Sequence, residues 1–103
     1  MELRHLRYFA TLAEELHFGR AAARPNISQP PLSQQIKALE IELSALLFER
    51  TKRQVRLTEA SRLFLVEARA TLAQAERAQN IAGRAQRGEI GELHIGLFAS
   101  APL

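Results

Sequence analysis

The chain has 103 residues, 47% hydrophobic and 24% charged, with no cysteine, so disulfides, thiolate metal sites and cysteine nucleophiles are excluded. No run approaches the ~20 apolar residues that span a bilayer, and Arg4, His5 and Arg7 interrupt any signal-peptide core, so a cytoplasmic protein without membrane contact is expected. The net charge of +3 is lopsided: residues 1–58 hold nine Lys/Arg against six Glu, while residues 59–103 balance at five each, placing the excess where a phosphate-facing surface would need it.

Over 3–16, Leu6, Phe9, Ala10, Ala13 and Leu16 recur at threes and fours, which predicts an amphipathic first helix. A short second helix is expected over about 18–24, with Phe18, Ala21 and Ala22 on one face. Pro25 and Asn26 break it, and Ser28 reopens a helix as its N-cap, with Pro30 and Pro31 in the first turn. Leu32, Ile36, Leu39 and Leu43 then make a narrow core stripe. Pro30, Ser33, Gln34 and Lys37 lie on the opposite side, and Ile41 also points outward. Residues 47–58 change period: Val55 and Leu57 alternate with Gln54 and Arg56, and the tip Thr51-Lys52-Arg53-Gln54 is polar and basic. This reads as a small hairpin, although no Asn-Gly or Asp-Gly pair fixes its register.

From Thr58 to Ala82 there is neither glycine nor proline. Thr58 can cap a helix and Glu59 suits its positive end. Ala68, Thr71, Ala75, Ala78, Ala82 and Ala85 form a heptad-like seam of small residues, with Phe64, Leu65 and Leu72 adding bulk. A helix of ~25 residues spans nearly 40 Å, too long for residues 1–58 to cover, so the seam calls for another chain. Gly83 and Gly88 then loosen the chain into a candidate linker. Over 91–98, Leu93, Ile95 and Leu97 alternate with His94 and Gly96, a strand that cannot stand alone and reads as the start of a further domain.

Residues 18–37 have the layout of a helix-turn-helix: a short helix, a turn, and a helix with a polar outward face. The N-terminal half of such a second helix enters a major groove ~12 Å wide. Gln29 there can donate to and accept from adenine at once. Pro30 and Pro31 can meet thymine methyls, Ser33 and Gln34 can reach base edges or phosphates, and Lys37 suits a phosphate. Lys52 and Arg53 fit a wing laid on the backbone or in the minor groove.

Taken in order, these residues resemble the N-terminal part of a LysR-type transcriptional regulator. The pattern is carried by Leu6, Phe9, Ala13, Glu14, Phe18, Ala21 and Ala22, then Ser28-Gln29-Pro30-Pro31 with Ser33, Ile36, Leu39, Glu40 and Leu43. Leu47-Phe48, Arg50, Arg53, Leu57-Thr58 and Ala60 complete it. The opening Met1 to Phe9 is similar to the subgroup that controls aromatic-compound breakdown. The resemblance implies a mainly α fold, a winged helix-turn-helix of three helices plus a β-hairpin wing, followed by a long dimerising linker helix. The implied domains are 1–58 (wing about 48–57), the linker helix 59–87, and 88–103 as hinge and first strand of an effector-binding domain.

It further implies a bacterial regulator that binds an inverted-repeat operator in double-stranded promoter DNA through a recognition helix over 28–43. Gln29, Pro30, Pro31, Ser33 and Gln34 would face the major groove. Arg20, Ser28, Lys37, Arg50, Lys52 and Arg53 would face phosphates or the minor groove. A homodimer seam of Phe64, Ala68, Thr71, Leu72, Ala75, Ala78 and Ala82 would assemble to a tetramer at full length, with RNA polymerase as a further partner. No cofactor is expected in this stretch; a small-molecule effector is expected of the domain beyond it. Four positions depart from the pattern: Gln34 stands where arginine is frequent, Pro25 replaces leucine, and Ser44 and Ser61 replace glycines. At Ser44 the replaced glycine would close the helix in a left-handed conformation, costing a serine roughly 1–2 kcal/mol.

Catalysis is not expected. His5, His17 and His94 share no motif, there is no glycine-rich phosphate loop, and Glu40 and Glu42 cannot share a helix face. The competing reading is a helical protein-interaction module that dimerises through the alanine seam without DNA. It leaves the lopsided charge and the Gln29 face unexplained.

Overall fold

The computed structural model describes residues 1–24, 27 and 31–89. In chain order they form α1 (Leu3–Glu15), α2 (Phe18–Ala22), α3 (Leu32–Leu43), β1 (Phe48–Arg50), β2 (Val55–Leu57) and α4 (Glu59–Gln86). Two compact units result, Met1–Leu72 and the residues from Ala73 onward. The strand read over 91–98 lies outside the described residues.

The first unit is a winged helix-turn-helix whose core is centred on Phe9. Leu6, Phe9 and Leu12 from α1 are buried with Ala21, with Leu32, Ile36 and Leu39 from α3, and with Leu47, Phe48 and Ala68. The Phe9 ring meets Phe48 at 5.6 Å and Phe64 at 5.0 Å between centroids, both tilted. Such aromatic pairs add to simple area burial, and here they join α1 to the hairpin and to α4. The expected stripe on α1 is largely present, with two changes. Leu12 is fully buried, whereas Leu16 is 40% exposed. The reason is local: Leu16 caps α1 in the left-handed region at φ 50°, its N–H donating to the Leu12 carbonyl at 2.7 Å, so its side chain leaves the helical stripe.

α2 ends at Ala22, not near residue 24 as expected. Arg24 precedes Pro25, and a proline disfavours helical geometry in the residue before it. The Arg24 guanidinium turns back to Glu15 at 3.0 Å and Glu14 at 3.1 Å. Those carboxylates, Glu15 foremost, push its pKa above arginine's ordinary value.

α3 begins at Leu32, with Pro31 as N-cap and no side-chain cap, so Pro31 is not in the first turn; the cap expected at Ser28 lies outside the described residues. Pro31 is extended (ψ 138°), and adjacent prolines withhold the amides that an earlier turn would need. The first helical bonds are Gln34 and Gln35 N–H to the Pro31 carbonyl, at 3.1 and 3.3 Å. Leu32, Ile36 and Leu39 face inward as the spacing predicts. The helix closes on Ser44 at φ 53°, with Ala45 N–H reaching the Glu40 carbonyl at 3.1 Å. This is the left-handed ending expected at that position, taken by a non-glycine residue.

Glu40 then ties the helix to the hairpin: its Oε2 accepts from Leu47 N–H at 2.8 Å and Phe48 N–H at 3.3 Å. β1 and β2 pair antiparallel, Phe48 opposite Leu57 and Glu49 opposite Arg56. The tip is set by Thr51, whose Oγ1 accepts from Arg53 N–H at 3.3 Å and Gln54 N–H at 3.0 Å. Thr58 caps α4 as expected, its Oγ1 accepting from Ser61 N–H at 3.0 Å while donating to the Leu46 carbonyl. Ser61 is fully buried, and among the described residues its hydroxyl has no hydrogen-bond partner.

In the unit from Ala73 onward, α4 continues to Gln86. Gly83 does not loosen the chain as expected but stays inside the helix, where a glycine among strong helix formers costs only ~1 kcal/mol. The stop comes at Gly88, φ +81°, with Glu89 N–H bonded to the Arg84 carbonyl at 3.0 Å. That six-to-one bond is how helices commonly end on a left-handed glycine.

Candidate nucleic-acid interface

Because α3 spends Leu32, Ile36 and Leu39 on the core, its other side must face outward. Ser33, Gln34 and Lys37 are exposed there, and Pro31 is exposed just before the helix. Ser28, Gln29 and Pro30 lie outside the described residues. The outward face therefore presents a hydroxyl, an amide and an ammonium, the groups that reach base edges and phosphates.

The wing adds cations. Lys52 and Arg53 are exposed at its tip. Arg50 is also exposed, but its guanidinium sits 4.5 Å from the centroid of the Phe18 ring, a cation–π contact that pins the wing to α2. Arg20, on α2, donates to the Glu15 carbonyl at 3.3 Å and pairs with the Glu15 carboxylate at 3.6 Å. Sequence reasoning missed two residues nearby. His17 is the N-cap of α2, its Nδ1 accepting from Arg20 N–H at 3.0 Å. Arg56 points outward from β2 and lines the same groove as Arg20 and Arg53. The available signal was weak: His17 precedes a helix of five residues, and Arg56 is one basic position in a run of several.

The seam residues divide. Phe64 and Leu72 are half-buried against this chain's own core, and Ala68 is 1% exposed within it. The expectation that Ala68 meets a second chain therefore fails, because the first half of α4 closes the hydrophobic core of its own unit. Thr71, Ala78 and Ala82 are exposed and Ala75 is half-buried. The outward side of the first half instead shows Leu63 at 68% and Val66 at 66% exposure.

Comparison with known proteins matches this arrangement. Residues 3–62 fit the family described as "Bacterial regulatory helix-turn-helix protein, lysR family". The chain is 59% identical to the HTH-type transcriptional regulator YnfL of Escherichia coli (strain K12), itself uncharacterized, over 99% of this chain and 34% of that protein. It thus spans about a third of the length of the curated relatives it matches. Among solved structures, the BenM DBD bound to catB site 1 DNA matches with a TM-score of 0.79 and 42% identity, covering 86% of this chain and 96% of that one. The CbnR DBD–DNA complex matches with a TM-score of 0.76 and 41% identity, over 84% of this chain and 99% of that one. The order of elements, the buried leucine stripe and these matches lead to one conclusion: the chain belongs to the LysR family of bacterial regulatory helix-turn-helix proteins.

Proposed function

We propose that this chain is the DNA-reading part of a bacterial transcription regulator, binding double-stranded promoter DNA sequence-specifically as a homodimer on an inverted repeat. The observation that carries the reading is α3, buried along Leu32, Ile36 and Leu39 and polar along Ser33, Gln34 and Lys37. Both solved structures described above are complexes with DNA at 41 and 42% identity. Gln29, Pro30, Pro31, Ser33 and Gln34 read bases; Arg20, Ser28, Lys37, Arg50, Lys52 and Arg53 hold the backbone. The protein works in the cytoplasm, residues 59–87 link the two DNA-binding units, and residues from 88 lead into an effector-binding domain of the full-length regulator, which assembles further and meets RNA polymerase. The likeness of Met1 to Phe9 to the aromatic-breakdown subgroup favours an aromatic effector.

Dimerisation uses α4: Leu63 and Val66 on the outward side of its first half, since Phe64 and Ala68 are committed to the core, and the exposed Ala78 and Ala82 of its second half. The test of base reading is Gln29→Ala, with operator and random duplexes compared by fluorescence anisotropy. The operator affinity falls by about 1–3 kcal/mol while random DNA is bound as before. Equal losses on both duplexes contradict a base-reading role for Gln29.

A further inference from the structure

The corner between α1 and α2 and the wing together bound a groove of about 660 Å³. Arg20, Arg53 and Arg56 line it, together with His17. The one carboxylate in the lining, Glu15, sits 3.6 Å from Arg20 Nε. Arg56 Nε donates only to the neutral Gln54 Oε1, at 3.1 Å, and among the described residues no carboxylate is paired with Arg53 or Arg56. The groove therefore carries a surplus of positive charge, in the planar, forked form that suits phosphate oxygens.

His17 is held from two sides. Its Nδ1 accepts the Arg20 amide hydrogen at 3.0 Å, so the neutral ring carries its own proton on Nε2. Beneath it lies Gly19, where a Cβ would come within 3.0 Å of the His17 Cε1. The bare glycine leaves the imidazole room at the start of α2. What remains for a ligand is an N–H donor of fixed orientation among three cations.

We propose that this groove seats one phosphodiester of the DNA backbone, with Arg20, Arg53 and Arg56 supplying charge and the Nε2–H of His17 a directed hydrogen bond. The proposal rests on the DNA-binding reading above and adds His17 and Arg56 to it. Donors predominate in the lining, so the groove senses backbone charge and not base identity. Its occupant fixes the wing relative to α2 when DNA is bound, and thereby the angle at which α3 meets the bases.

The test measures binding of the 103-residue chain to a fluorescent duplex of arbitrary sequence across a salt series. Arg56→Ala weakens binding about tenfold, the worth of one charge-assisted hydrogen bond, while Arg20 and Arg53 keep the same phosphate neutralised and the slope steep. His17→Asp keeps an N-cap yet places a carboxylate in the groove, and weakens binding about tenfold or more, the worth of a charge-assisted hydrogen bond. His17→Asn keeps both cap and N–H donor and binds within about threefold of the unsubstituted chain. Arg56 lies on an exposed strand face, so its variant stays informative even where a His17 variant unfolds. An unchanged affinity in Arg56→Ala, while the unsubstituted chain binds with a steep slope, overturns the groove and leaves the DNA-binding reading standing. A flat slope for the unsubstituted chain overturns both.

Discussion

α3 and the first half of α4 rest on the same core and turn opposite chemistries outward. α3 buries Leu32, Ile36 and Leu39 and over its first half shows Ser33, Gln34 and Lys37, with the exposed Ile41 confined to its far end. α4 buries Ser61 and Ala68, half-buries Phe64 and Leu72, and shows Leu63 and Val66. A face of hydroxyl, amide and ammonium is already solvated and exchanges water for bases and phosphates at little cost. Two large aliphatic side chains more than 60% exposed gain only by being covered with apolar surface. The inward faces say how the unit folds; the outward faces are what the proposed function assigns, one to nucleic acid and the other to protein.

The comparison can be broken most severely from inside. Ile36→Ala empties a fully buried site shared by all the elements around Phe9, and a loss of about 2–5 kcal/mol is expected in urea unfolding. DNA binding and self-association should fall together, because both outward faces depend on one core; retention of full stability would remove Ile36 from it. A narrower cut is Leu63→Glu. Its effect on unfolding should stay within about 0.5 kcal/mol, as for an exposed position, whereas self-association measured by sedimentation should weaken by about tenfold or more for a buried leucine lost. An unaltered dimer would assign the interface to another surface. The smallest change sharpens the inner face of α4. Ser61→Ala removes a buried hydroxyl with no partner and should raise stability by about 1 kcal/mol; a loss instead would mean that the hydroxyl is satisfied.

Much of the fold was legible because it rests on local periodicity. The Leu32–Ile36–Leu39 stripe, the Thr58 cap and the alternation at Val55 and Leu57 are each decided within a few residues. The left-handed closure at Ser44 was also foreseen, from the glycine usual at that place in the family pattern. The features missed depend on residues distant in sequence. Glu40 clamps Leu47 and Phe48, and nothing in its helical neighbourhood indicates that two amides of the next strand will arrive there. Ala68 was misplaced for the same reason: a small residue is equally suited to a second chain and to its own core, and the Phe9–Phe64 contact decides for the core there. The start of α3 was placed too early because proline tolerates a first helical turn, yet Pro31 stands outside it. Of the basic residues, the count was readable and the grouping was not. Arg20 and Arg56 become neighbours only when the wing folds against α2 and Arg50 covers Phe18.

The account stands most directly on how the unsubstituted chain responds to salt when it binds duplex DNA. Backbone contacts at three phosphates, one shared by Arg20 and Arg53 and one each at Lys37 and Lys52, predict a log–log slope of about −2.7 or steeper per chain, at about −0.9 per phosphate. A helical module that only pairs with protein would show weak DNA binding and a slope near zero, and that result would contradict the account.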